Sequence, residues 1–342
     1  MTETAEQVLR AGEPLEPPRH DVGHASTLLA DAARGGRLIG VDCWYPADPG
    51  DGPVATYAVI PGVGFTASAR SDALPVDGAR PLVVFSHGRS GLRTSYVMLC
   101  EGLAARGFVV VALDHPGDTL LDWMTGTAVD DATNEVQRVA DVQFVIDALL
   151  RDASRLPPIA SVDASQVAVV GHSYGGFTAL AVAAAESPDS RIRGVAGLQP
   201  YARSLARKHI ARIAVPTMLV VGLQDQTCPP ATDADRVTGT ITRADAQRVD
   251  LTDAGHQACS DVGLYLDLAT QVEGIPDIVA MFLASMADQV TGRAGDPWRP
   301  TVGLHLRILG AWLDELFAVD PAGAAQELAA IGALPGVALR RS

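Results

Sequence analysis

The chain has 342 residues, 48 % of them hydrophobic, and its 26 Lys and Arg against 40 Asp and Glu give a formal net charge of −14. That acidity argues against nucleic acid and anionic membranes as partners, and no stretch approaches the roughly 18 continuous apolar residues of a membrane span. The four cysteines contain no C-x-x-C pair, and the opening MTETAEQVLRAGEPLEPP has neither the basic nor the apolar region of an export signal; the expectation is a cytoplasmic protein, monomer or homodimer, with no metal and no cofactor.

Residues 1–35 are polar, acidic and Pro-rich and read as a loosely held arm. RLIGVDCWYPAD alternates and reads as an antiparallel edge strand. Residues 50–72 are turn-rich and read as a surface loop. PLVVFSH is a short buried strand that runs into the loop Gly88-Arg89-Ser90-Gly91. A helix over TSYVMLCEGLAAR stops at Gly107, and FVVVALDH is the next strand. Residues 116–135 read as a long loop carrying Trp123 and Met124, followed by a helix over VQRVADVQFVIDALLRDA.

SVDASQVAVVGHS, IRGVAGLQP and VPTMLVVG are further strands. YARSLARKHIARI reads as a basic helix, ATDADRVTG as a short one, and AQRVDLTDAGHQACSD as the last strand and its loop. Strands alternating with helices at this rhythm predict an α/β chain with a mostly parallel central sheet covered on both faces. The expected division is an arm over 1–35, a core over 36–260 and a C-terminal helical extension over 261–342. The apolar stretch that opens this extension is expected to pack near the active-site mouth or to line a pocket.

The informative stretch is VAVVGHSYGG. A buried strand enters a turn with glycines on both sides of Ser173, and a small-residue helical pattern follows at once. This is the context of a nucleophile elbow, in which the serine sits in a strained turn with its hydroxyl projecting into the open. The bland alternative is a glycine-rich turn with an incidental serine. A serine hydroxyl needs a base in reach and an acid to orient that base. In such a fold the partners follow in the order Ser, Asp, His, each on a loop after a strand.

Asp225 in GLQDQTCPP and His256 in DAGHQAC satisfy that order. Asp253, close to His256 in sequence, is the main rival for the acid. His87, His115 and His172 end strands and read as structural or pocket-lining. The donors expected to meet an oxyanion are the main-chain N–H groups of Tyr174 and of Arg89, in the loop opened by Gly88.

The motifs VVFSHG, LAARGFVVVALDH, VAVVGHSYGGFTAL, VPTMLVVGLQDQTCPP and GHQ resemble the α/β-hydrolase superfamily over most of residues 35–260. The resemblance is nearest to the dienelactone-hydrolase-like group that includes platelet-activating-factor acetylhydrolases and bacterial cutinases or polyester hydrolases. It implies an α/β-hydrolase fold. Acetylhydrolases take their acid after the strand that here is VAGLQP, where Gln199 cannot serve; the resemblance to cutinases moves the acid to Asp225. Some polyester hydrolases tie these loops with a disulfide, so the resemblance leaves two states open for Cys228 and Cys259, a bridge or two free buried thiols.

The implied reaction is hydrolysis of a carboxylic ester through an acyl-enzyme. The substrate expected is a small to medium apolar ester, held near Gly88, Trp123, Met124 and the 262–286 stretch. A lactonase, thioesterase or amidase would use the same triad, and a non-catalytic hydrolase-fold binding protein is the alternative of a different class.

Overall fold

A computed structural model describes residues 7–60, 63–275, 277–291 and 297–341. The chain begins with strands β1 (Gln7–Arg10), β2 (Asp21–Asp31), β3 (Arg37–Ala47), β4 (Val54–Ile60), β5 (Val63–Ser71) and β6 (Arg80–Ser86). Alternation follows: α1 (Val97–Arg106), β7 (Val109–Leu113), α2 (Leu120–Thr125), α3 (Asp131–Arg151), β8 (Val162–His172), α4 (Tyr174–Ala183) and β9 (Ile192–Leu198). Next come α5 (Arg207–Ile210), β10 (Thr217–Gly222), α6 (Ala234–Thr238) and β11 (Ala246–Leu251). The last part holds α7 (Val262–Ala269), α8 (Asp277–Met286), α9 (Trp298–Leu316), α10 (Pro321–Gly332) and β12 (Val337–Arg341).

The strands form one sheet in the order β1-β5-β2-β3-β7-β6-β8-β9-β10-β11-β12, with β4 beside β5. From β7 to β11 every neighbour is parallel. The reason lies in the strand sequences. Side chains alternate between faces, yet both faces are apolar: Val83 and Phe85 join one buried cluster with α1 and α9, while Leu82 and Val84 join another with α3 and α4. A strand buried on both sides reads as a continuous apolar run, and helices must cover each face.

Several expectations change in the first 135 residues of the chain. Residues 7–31 are not a loose arm: β2 pairs antiparallel with β3 over eleven residues, from Asp21 opposite Ala47 to Asp31 opposite Arg37. With β2 on one side and β7 on the other, β3 is an interior strand and not an edge. Residues 50–72 are not a surface loop, because β4 and β5 pair antiparallel there. In the 116–135 loop α2 forms, started by a capping box between Thr119 and Asp122.

The basic stretch after β9 shortens to the four residues of α5. The C-terminal extension is helical as expected but ends in a strand, with β12 antiparallel to β11. No helix among the described residues is long and apolar enough to cross a membrane.

Candidate active site

The sequence around Ser173 builds its own turn. Ser173 lies between β8 and α4 with φ 55° and ψ −117°, a backbone state that L-residues rarely adopt and that costs on the order of 1–3 kcal/mol. The two glycines are needed because other backbone occupies their side-chain space. A Cβ on Gly171 would lie 2.2 Å from the Gly175 carbonyl oxygen, and one on Gly175 would lie 1.9 Å from that of Ser86. The turn holds the serine at the C-terminal end of the parallel strands, where the loops after β10 and β11 also arrive.

His256 follows β11 and Asp225 follows β10. His256 Nε2 is 3.0 Å from Ser173 Oγ, and its Nδ1 is 2.8 Å from Asp225 Oδ2. With Nδ1–H donating to the carboxylate, Nε2 carries a lone pair aimed at the serine hydroxyl. Asp225 is itself held: its Oδ1 accepts from the main-chain N–H groups of Thr227, at 2.9 Å, and Cys228, at 2.8 Å. Asp253, the rival, is exposed and makes no bond to His256, whose Nδ1 is taken by Asp225. Gln199 turns away, its amide Nε2 donating to His305 Nε2 in α9 at 2.9 Å.

Among the described residues, neither the Arg89 N–H nor the Tyr174 N–H meets a protein acceptor. The loop that carries the first is strongly supported from below. Arg138, wholly buried in α3, donates to the His87 carbonyl, to Ser86 Oγ at 3.2 Å, to Thr178 Oγ1 at 3.1 Å and to Asp118 Oδ2 at 2.7 Å. Asp118 in turn accepts from Ser90 N and Asn134 Nδ2. Sequence reading missed Arg138 and Asp118, because nothing local marks a buried ion pair between a loop and a helix face.

It also missed the part played by His172. Tyr96 Oη donates to His172 Nδ1 at 2.7 Å, His172 Nε2 donates to the His256 carbonyl at 2.7 Å, and Tyr96 Oη accepts from Gly88 N at 3.2 Å. Burial and the neighbouring His256 ring push the His172 pKa well down, so the ring is neutral.

Gly88 and Trp123 line a cavity of about 420 Å³ that opens on Ser173 and His256. Its apolar wall includes Leu92, Leu120, Val279, Phe282, Leu283 and Met286, so α8 from the C-terminal extension closes over it. The Trp123 and Phe282 rings sit 5.5 Å apart. Met124 is not in this wall; it lines a neighbouring cavity beside Arg93 and Tyr57, because it lies next to Trp123 on the short helix α2 and projects elsewhere. The Arg89 guanidinium is not free for a substrate acid: it pairs with Asp131 and lies 5.2 Å above the Tyr174 ring.

Cys228 and Cys259 are both free and buried, so the bridged state is not the one found. Cys259 packs into the apolar cluster of α1 and α9, whereas Cys228 lies beside the acid and the base, its sulfur within 4.8 Å of ligand atoms of Asp225 and His256. The two sulfurs serve different neighbourhoods.

Known proteins resemble the chain in family and in fold. The profile of a family described as PETase, PET hydrolase-like, matches residues 76–269. The chain is 29 % identical over 177 residues to cutinase est1 of Thermobifida alba, covering 52 % of this chain and 53 % of that protein. It is 26 % identical over 160 residues to a platelet-activating factor acetylhydrolase of Gallus gallus, covering 34 % and 38 %. The chain thus spans about half the length, or less, of the curated relatives it matches. A ferulic acid esterase structure from Streptomyces cinnamoneus superposes with a TM-score of 0.68 at 23 % identity, covering 90 % of this chain and 92 % of the other, which shows the α/β-hydrolase fold.

Proposed function

The chain belongs to the PET hydrolase-like family, and from that premise we propose that it hydrolyses a carboxylic ester of a small to medium apolar substrate. The observation that carries the reading is the hydrogen-bonded line from Ser173 Oγ through the His256 ring to Asp225. In the first step Ser173 Oγ attacks the ester carbonyl carbon while its proton passes to His256 Nε2. The imidazolium so formed keeps its Nδ1–H on the Asp225 carboxylate, which offsets the new charge. The carbonyl oxygen becomes an oxyanion between the unengaged N–H groups of Arg89 and Tyr174. Collapse expels the alcohol, which takes the proton from Nε2. Water then repeats the sequence on the acyl-enzyme and restores the serine.

The roofed cavity supports a defined small molecule over a polymer chain. Its volume of about 420 Å³ and mainly apolar lining suit a ligand of modest size, and α8 covers the ground a polymer would need. The test is turnover of a nitrophenyl-ester series from acetate to octanoate beside a polyester film. Wild type should cleave the soluble esters in preference to the film. Ser173→Ala should lose about 10⁴-fold or more in kcat with its thermal unfolding unchanged. Residual esterase activity of Ser173→Ala near that of wild type would refute the reading.

A further inference from the structure

Acyl transfer leaves the Cys228 side chain, beside the triad, without a task. Cys228 is 5 % exposed and unbridged. Its sulfur, a carboxylate oxygen of Asp225 and a ring nitrogen of His256 all lie within 4.8 Å of one another, and all three residues are buried. The backbone that carries the sulfur is also held, since the Cys228 N–H donates to Asp225 Oδ1 at 2.8 Å and so ties the loop to the carboxylate. One thiol, one imidazole and one carboxylate are ligand types that zinc takes together, at about 2.3, 2.0 and 2.1 Å. Tetrahedral geometry with those bond lengths puts the ligand atoms roughly 3.5 Å apart, a closure of about 1 Å from the widest separation allowed here.

We infer that Asp225, Cys228 and His256 form an inhibitory site for a thiophilic divalent cation, zinc or cadmium, which switches the hydrolase off reversibly. The cation replaces the Cys228 thiol proton, which leaves to solvent, and the thiolate and Asp225 carboxylate together offset its two charges. No redox change occurs. The histidine is what links binding to inhibition. A neutral imidazole has one proton and one lone pair, and catalysis needs the lone pair on Nε2. A cation on Nε2 occupies it directly. A cation on Nδ1 forces the ring proton onto Nε2, with the same result. Either way Ser173 loses its base. The fourth position of the metal is open to the Ser173 hydroxyl or to water.

The binding part of this inference does not depend on the esterase reading; only its consequence does, and the test separates the two. Tag-free full-length protein is titrated with cadmium chloride while the ultraviolet thiolate-to-cadmium charge-transfer band is followed, in wild type and in Ser173→Ala. The band should grow to one equivalent in both, remain in Cys259→Ala, and vanish in Cys228→Ala and Cys228→Ser. Separately, zinc or cadmium should inhibit ester turnover, a chelator should restore it, and the inhibitory concentration should rise about tenfold or more in Cys228→Ser, each variant compared with its own metal-free rate. A band absent from wild type, or one that persists without Cys228, overturns the site. A band that depends on Cys228 with turnover untouched overturns the switch. Wild type without ester turnover would count against the esterase reading, and the band would still decide the site.

Discussion

His172 Nε2 donates to the main-chain carbonyl of His256 at 2.7 Å, so the residue beside the nucleophile holds the loop of the base. On its other side His172 accepts from Tyr96, which also receives the Gly88 N–H. One neutral ring thus ties three loops that meet at Ser173, and the direction of the line is fixed, because the Gly88 N–H at one end can only donate and the His256 carbonyl at the other can only accept.

Tyr96→Phe removes the middle of this line. It leaves the Gly88 N–H without its acceptor and His172 Nδ1 without its donor. The expected result is a stability loss of about 1–3 kcal/mol, together with a fall in kcat larger than any rise in KM, since the oxyanion loop and the base loop are displaced but the apolar wall is not. Thermal unfolding and steady-state kinetics on a soluble ester measure both, and an unchanged kcat would count against the relay.

The acid is decided by comparing two asparagine variants. Asp225→Asn keeps the shape but removes the charge that fixes the His256 tautomer, and should cost about 10⁴-fold in kcat. Asp253→Asn should stay within a few-fold of wild type, as its exposed side chain makes no bond to the ring. The reverse order of effects would move the acid to Asp253.

The apolar wall predicts a chain-length slope. Each methylene buried against Leu120, Trp123 and Phe282 is worth about 0.8 kcal/mol, or about fourfold in kcat/KM, until the cavity fills. Phe282→Ala should flatten the rise from butyrate to octanoate while leaving acetate nearly unchanged. Equal losses across the series would place Phe282 outside the acyl path.

Stability should respond to pH in two opposite ways. Burial lowers the pKa of His115 and His305 to about 4 and holds those of His87 and His172 well below the usual imidazole value. Between about 6.5 and about 4 the unfolded chain therefore binds protons that the folded one refuses, and stability falls as pH falls through that window. Asp261 behaves in the other sense. Burial raises its carboxyl to about 7 from 3.8, so between those values the folded state holds the extra proton and stability falls as pH rises. Asp261→Asn, which keeps an oxygen for the Met98 N–H, should melt higher than wild type at pH 8, with the gap closing toward pH 4. A gap independent of pH would show that the buried carboxyl does not titrate as described.

What the sequence determined by itself was local. Gly171, Ser173 and Gly175 fix their turn because the clashes that exclude a side chain come from backbone within a few residues or on the adjoining strand. The continuous apolar runs of β6, β7, β8 and β10 fix a parallel sheet because both their faces must be covered. Ser173, Asp225 and His256 each follow a parallel strand, β8, β10 and β11, so their loops meet at one end of the sheet.

What only the tertiary structure decided depends on partners far away in the chain. The strands β2 and β5 have no clean alternation, and they form because β3 and β4 offer hydrogen-bonding edges. Arg89 is claimed by Asp131, Gln199 by His305 and Arg138 by the loop above Ser173. The free state of Cys228 and Cys259 was equally unreadable, since a disulfide requires two Cβ vectors to converge and spacing along a chain says nothing about direction.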